Sequence, residues 1–425
     1  MLIVALTFIV LLLIGLPVGY VLGVAGIVGI AQIGETQFFA MAPERFFAGL
    51  DLFPFLAMPF FILAGEIMNR TGITASLVKL ADALVGWLRG GMAHSNMVAS
   101  VMFAGITGAA TADAAAFGNT LVPAMVSKGY SRPFACAVTA AGSIIGPTIP
   151  PSTLMVVYGS IMGVSIAGLF AAGIVPGVLI SLVCMALIAI FGRRWNLPKG
   201  DGKFGLCPVW NAFKESWPAL VMPALILGCI LGGFTTPTEA AAIAVAYALL
   251  LGIIQRKLSW SDLYQMLART SLVTGIIFLI IATASILGWW MTFEQIPQAI
   301  AQAILSVRSS PSVVILMILL LLLFIGLFLD INAALIILAP VLAPLLTTIG
   351  MEPVHAGIMI ILALNISLMT PPVGACLFVL ASVTGERIEA ITKALWPFLL
   401  AELGVLIVIA YWPTLTLFIP RLLGF

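Results

Sequence analysis

The sequence predicts an all-α polytopic membrane protein made of two inverted structural repeats, each with a re-entrant helical hairpin and a proline-broken transmembrane helix. Three observations lead there. Of 425 residues, 62% are hydrophobic and 8% charged, against roughly 25% charged in soluble domains. The apolar residues run in long stretches without alternation, which favours spanning helices over a barrel. Two of these runs are broken by clustered prolines and glycines, at Gly142-Ser143-Ile144-Ile145-Gly146-Pro147-Thr148-Ile149-Pro150-Pro151-Ser152-Thr153 and at Asn365-Ile366-Ser367-Leu368-Met369-Thr370-Pro371-Pro372-Val373-Gly374. Proline brings no amide hydrogen, so the carbonyls of Ser143, Gly146 and Pro147, and of Ser367 and Leu368, are expected to lose their helical partners. In hydrocarbon such groups survive only where protein buries them or where they line a cavity.

The elements follow in order. Residues 2–31 are apolar and interrupted at Gly15-Leu16-Pro17; one bent helix and two short passes both fit. With no basic leader or small-residue cleavage site, this stretch reads as a retained span. Residues 53–69 form a span carrying one acid, Glu66. In 73–89, Ile73, Leu77, Leu80, Leu84 and Leu88 mark one face with charges elsewhere, the pattern of a helix lying in the interface. Residues 92–126 hold the small, polar Gly105-Ile106-Thr107-Gly108-Ala109-Ala110-Thr111-Ala112-Asp113 at their centre, as a re-entrant hairpin tip would. The broken span 133–159 and an ordinary span 163–191 complete a first repeat, 1–200.

A basic cytoplasmic loop is expected at 201–217. The second repeat, 218–425, begins with two short passes, 218–234 and 237–254. A span at 271–291 and a second interfacial segment at 294–307 come next. The second hairpin, 311–346, breaks at Gly326-Leu327-Phe328-Leu329-Asp330-Ile331-Asn332, and the second broken span covers 354–382. Residues 394–420 close the chain.

The events recur at a nearly constant offset. Asp113 and Asp330 stand 217 residues apart (330 − 113), Pro150 and Pro371 221 apart (371 − 150), and Pro17 and Pro237 220 apart (237 − 17). The basic residues Arg193 to Lys214 and Arg256-Lys257 belong on the cytoplasmic side. Counting spans from there, the first hairpin enters from the cytoplasm and the second from outside, so the repeats are inverted. Paired broken helices in inverted repeats point to the binding site of a secondary transporter.

If the tips and breaks meet near the midplane, the oxygens available are those a sodium ion prefers. The expected sodium-binding residues are Thr107, Asp113, Ser143, Gly146, Pro147 and Thr148 in the first repeat. In the second they are Asp330, Asn332, Asn365, Ser367 and Thr370. Thr107, Thr111, Thr148, Ser152, Asn365 and Thr370 are the expected substrate contacts. No Arg or Lys lies in either tip or break, so an anionic substrate would rest on the N-terminal helix ends near Ala112 and Ile331. Asp113 and Asp330 fit equally well as N-caps of the second hairpin arms.

Other classes find less support. A near-neutral balance of 18 basic and 16 acidic residues leaves no nucleic-acid patch. Cys136, Cys184, Cys207, Cys229 and Cys376 lack paired spacing and read as small buried hydrophobes. His94 and His355 stand alone, outside any metal-binding pattern. Neither aspartate sits in a glycine-x-glycine-aspartate signature, which speaks against an intramembrane protease and an enzyme generally. Opposed dead-end hairpins suit alternating access better than a channel. Asn119 and Glu66 read as buried hydrogen-bonding or lumen-facing residues, and Glu239 as a first-turn dipole partner.

Five segments in order then resemble the large membrane subunit of tripartite ATP-independent periplasmic (TRAP) transporters. They are Pro59 to Met68, the Gly142-to-Thr153 break, Gly232 to Ala242, Gly326 to Asp330, and Leu368 to Gly374. The resemblance runs from near residue 10 to near residue 420. It implies an elevator-type, sodium-driven importer of an organic acid (a C4-dicarboxylate, sialic acid or similar) in the bacterial inner membrane. It also implies two partners, a small four-helix membrane subunit and a periplasmic substrate-binding protein. No cofactor is implied beyond Na+ as coupling ion. The first tip departs from the family in offering fewer hydroxyls, at Thr107-Gly108-Ala109-Ala110. A sodium–carboxylate symporter working without a binding protein is the alternative.

Overall fold

The computed structural model describes residues 2–200, 204–296, 298–299, 302 and 310–425, and the side chains of all of these but 73 and 74. Among the described residues the regular structure is entirely helical. Helices α1 (Leu2–Leu13) and α2 (Val18–Ile33) are separate and pack on each other, so Gly15-Leu16-Pro17 ends one helix instead of bending a single long one. After α3 (Met41–Ala48) come α4 (Ala57–Arg70) and α5 (Ile73–Val85). Helix α5 buries Leu77, Leu80 and Ala81 against its neighbours and stops at Gly86, short of the expected Arg89. The first hairpin is α6 (Gly91–Thr107) and α7 (Ala110–Ser127), and the first broken span is α8 (Arg132–Ser143) and α9 (Thr153–Met162). Helix α10 (Ile166–Phe191) closes this half.

The second half opens differently from expectation. Helix α11 runs Leu206–Leu231, so much of the loop placed at 201–217 is helix that continues through Pro218 and Pro223. Cys207, read as buried, is exposed near its start. Helix α12 (Pro237–Ile254) begins with a capping box in which Thr236 and Glu239 satisfy each other's backbone amides, a more specific use of Glu239 than a dipole partner. Helix α13 is a single 34-residue helix, Trp260–Phe293, eleven residues longer at its start than the expected span. Most of the interfacial segment expected at 294–307 lies outside the described residues. The second hairpin is α14 (Pro311–Gly326) and α15 (Ile331–Thr348), the second broken span α16 (Pro353–Ser367) and α17 (Ala375–Thr384), followed by α18 (Ile388–Tyr411) and α19 (Thr414–Leu423). The order hairpin, broken span, long helix therefore occurs in each half. Six helices among the described residues are long and apolar enough to cross a bilayer.

Two packing groups stand out, bridged by α11, which packs on α12, and by α5, which packs on α11 and α6. In one, α13 lies on α2, α3 and α4, and α4 lies on α12. In the other, both hairpins and both broken spans pack among α10, α18 and α19. The α2–α13 contact depends on close backbone approach. A Cβ at Gly26 would stand 3.0 Å from the Leu287 amide nitrogen, and one at Gly29 would strike the Trp290 ring at 2.6 Å. Small residues permit such approach where lipid supplies no hydrophobic drive.

Replacing Gly26 by Leu is expected to cost about 1–3 kcal/mol through overpacking, read as a lower thermal unfolding midpoint of the detergent-purified chain. Gly228, whose Cβ position opens onto empty space, tolerates Ala without a loss.

Candidate functional site

Each hairpin tip is shaped by a glycine. Helix α6 ends at Gly108 with φ +60°, and a side chain there would meet the Pro151 carbonyl oxygen at 2.5 Å, so only glycine lets the first tip press onto the first break. A Cβ at Gly326 would collide with Ser367 Oγ, so the second tip sits equally close to the second break.

The two hairpin aspartates do different work. Asp330 is the N-cap of α15, its Oδ1 accepting from the Asn332 amide at 2.9 Å and the Ala333 amide at 3.4 Å. It is exposed. Asp113 is not a cap: Ala109 holds that position, with no side-chain bond, and Asp113 lies one turn into α7. There it is fully buried, and Oδ1 accepts a hydrogen bond from Thr107 Oγ1. Its Oδ2 is buried with no hydrogen-bond partner and faces Gly146, where any side chain would run into it. A buried carboxylate half satisfied in this way is costly unless a cation or proton joins it.

The breaks keep more of their backbone bonds than the prolines alone predict. The Ser143 carbonyl accepts from the Gly146 amide at 3.3 Å, Ser367 from Thr370 at 3.0 Å, and Leu368 from Cys376 at 3.0 Å. Tight turns thus recover the Ser143 and Ser367 carbonyls, and the first turn of α17 reaches back across the break to recover that of Leu368. The hydroxyls bond locally too: Ser143 donates to Ala140 O, Thr148 to Ile144 O, Ser367 to Leu364 O and Thr370 to Ile366 O. Each keeps lone pairs for a cation. Asn365 Nδ2 donates to Thr148 Oγ1 at 3.2 Å, joining the two broken spans directly, while Asn365 Oδ1 and Ser152 Oγ remain buried without partners.

Both tips and both breaks open onto one cavity of about 250 Å3. Gly108 to Thr111 and Asp330 to Asn332 supply the tips, Pro147, Thr153, Leu368 and Ala375 the breaks. The opposite wall is apolar, formed by Ile62 of α4 and by Val273, Ile276, Ile277 and Ile280 of α13. The amino ends of α7 and α15 therefore face the same space, and no Arg or Lys lines it. Of the expected substrate contacts only Thr111 is on the lining. Thr148, Ser152 and Asn365 are buried, and Thr107 and Thr370 are half-buried off the lining.

Residues 5–415 match the Tripartite ATP-independent periplasmic transporter, DctM component. The chain belongs to this TRAP transporter family. A Vibrio cholerae protein named a sialic acid TRAP transporter large permease is 36% identical over 97% of this chain and 96% of its own length. An Oleidesulfovibrio alaskensis protein named an isethionate TRAP transporter permease is 38% identical over 97% of this chain, which spans 65% of that longer protein. In fold, the chain resembles the crystal structure of the YdaH transporter of Alcanivorax borkumensis, with TM-score 0.62 and 16% identity, covering 89% of this chain and 88% of that one. It is thus the large permease of a TRAP system, a multi-pass membrane protein and not an enzyme.

Residues outside the tips are placed as follows. Glu66 pairs with Arg269 at 3.1 Å. Asn119 is exposed and bonds back to Ala115 O, so it is not the buried hydrogen-bonding residue expected from the sequence. His355 bonds Thr416, and His94 is buried. Glu402 of α18 escaped the sequence reading. It is fully buried, its Oε1 3.5 Å from the Cys184 thiol and its Oε2 without a partner. A lone acid in an apolar run was the available signal.

Two substitutions separate the aspartates. Asp330→Asn keeps the α15 cap and leaves the melting midpoint unchanged, whereas Asp330→Ala lowers stability by about 0.5–2 kcal/mol. Asp113→Asn removes an unpaired buried charge, so in sodium-free choline buffer the variant melts higher than the parent. A lower midpoint there would show that Asp113 Oδ2 has a structural partner.

Proposed function

We propose that this chain is the sodium-driven permease for import of a small organic acid across the inner membrane. The observation that carries the reading is the convergence of both tips and both broken spans on one cavity beside the half-satisfied carboxylate of Asp113. Oxygen donors of this kind suit a monovalent cation. In the first half Asp113, Thr107, Ser143, Thr148 and the Gly146 and Pro147 carbonyls would hold it. In the second half, Asn365, Ser367 and Thr370, with Asp330 and Asn332 at the rim, form the counterpart. The acid's anionic group would rest on the amino ends of α7 and α15, beside Thr111 and Asn332, with bound sodium completing the positive field.

In this reading the hairpins and broken spans form the carrier, and α2, α3, α4, α12 and α13 the fixed wall. Between Val273 and Ile280 the face of α13 toward the cavity offers no polar partner that would hold the carrier at one height. An elevator movement past it exposes the cavity to each side in turn. A small membrane subunit braces the wall, and a periplasmic protein delivers the acid. Among relatives, sialic acid and isethionate appear in the protein names, so carboxylates and sulfonates both fall within the substrate class.

The test is uptake of labelled sialic acid, succinate and isethionate into proteoliposomes holding this chain with its small subunit and binding protein. At least one acid is taken up under an inward sodium gradient, with a dependence on sodium steeper than first order. Full activity in potassium, or a hyperbolic sodium response, would sink the sodium mechanism. Equal uptake without the binding protein would favour the simpler symporter.

A further inference from the structure

A second cavity, of about 400 Å3, lies on the same seam of α4 and α13 that walls the tip cavity. Its lining includes Glu66 and Arg70 of α4, and Asp262 and Arg269 of α13. The two cavities follow each other along both helices. Ile62, in the tip cavity, and Glu66, in the second, are one turn apart on α4. Val273 and Arg269 are one turn apart on α13. That is about 6 Å along each axis. The lining positions on α13 recur every three or four residues, so a single face of the helix serves both spaces.

The charges in the second cavity balance in number but not in depth. Arg269 pairs with Glu66, and Arg70 with Asp262. The arginine side chains are 64% and 56% exposed, the carboxylates 23% and 17%. The guanidinium groups therefore stand at the opening and the carboxylates behind them. Asp262 is also tied down by the Ser259 hydroxyl at 2.7 Å, as part of the α13 cap. Ion pairs this exposed are weak, and a guanidinium binds carboxylate or sulfonate in the same forked geometry it offers a protein carboxylate. An arriving anion can replace Glu66, held by Arg269 through a single contact at 3.1 Å, more readily than Asp262, which both Nε and Nη2 of Arg70 bind.

We propose that this cavity is an anion vestibule at the cytoplasmic mouth of the tip cavity, in which Arg70 and Arg269 take up the acid group of the substrate between the tips and bulk water. The inference rests on the tip cavity being the transport site. Lys257 donates to the Thr71 carbonyl, next to Arg70, at 2.6 Å, so the mouth lies at the end of α4 and α13 that the basic pair Arg256-Lys257 is expected to place on the cytoplasmic side. The tip cavity lacks Arg and Lys, so these two arginines are the first fixed cations along the seam for an anion leaving it. The single contact of Arg269 with Glu66 suits transient holding better than tight capture.

The test needs no knowledge of the substrate. In the full-length chain with its five native cysteines replaced, a reporter is placed in the tip cavity as Ile276→Cys. From the cytoplasmic side it is reacted at low ionic strength with an anionic (sulfonatoethyl) and a cationic (trimethylammonioethyl) methanethiosulfonate. The ratio of anionic to cationic rates is expected to fall about tenfold in Arg269→Gln, to recover in Arg269→Lys, and to rise in Glu66→Gln. The differences shrink in molar salt. A ratio that does not respond to these changes overturns the vestibule while leaving the tip cavity intact. A reporter that reacts with neither reagent overturns both the vestibule and the transport site on which it rests.

Discussion

Broken backbone at membrane depth has to be covered by protein, and this constraint organises the molecule. Every residue from 134 to 152 is buried, as is every one from 355 to 369, and only Pro372 and Val373 of the second break are exposed, with Thr370 and Pro371 half-buried. Two unwound segments cannot each face lipid, so they lie together, linked by Asn365 and Thr148. Each is capped by a hairpin tip that comes close only because Gly108 and Gly326 lack side chains. Long helices such as α10 then supply the surrounding bulk. The site is what remains where this cover is incomplete.

That incompleteness is electrostatic as well as steric. Turn hydrogen bonds recover the Ser143 and Ser367 carbonyls and the Cys376 amide that of Leu368, so the breaks are not simply open backbone. The unmet demand concentrates on side chains, above all Asp113 Oδ2 in the first hairpin, and Ser152 Oγ and Asn365 Oδ1 in the broken spans. Asp330 is satisfied by the start of its own helix and stays at the cavity rim. The two halves repeat an arrangement of elements while dividing its chemistry unequally.

Much of this architecture was legible because proline and glycine act locally. The hairpins expected at 92–126 and 311–346 are observed at Gly91–Ser127 and Pro311–Thr348, and the broken spans agree to within three residues at their ends. What the sequence concealed depends on tertiary partners. Pro218 and Pro223 look like helix breakers, yet α11 passes through both. The pairing of Glu66 with Arg269 joins residues some two hundred positions apart. Asp113 and Asp330 look equivalent in sequence, and only the geometry of their helix starts separates buried charge from cap. Most expected substrate contacts proved to lie off the lining, since a hydroxyl near a break can face either way.

We propose that the buried carboxylate of Asp113 and the adjoining break bind the coupling cation. A ligand that binds only the folded state raises its stability in proportion to the logarithm of concentration above Kd. The most direct measurement is the thermal unfolding midpoint of the purified chain titrated with sodium, and separately with potassium, at constant ionic strength made up with choline. The midpoint is expected to climb with sodium and to stay level in potassium. Identical flat curves in the two salts would contradict this assignment.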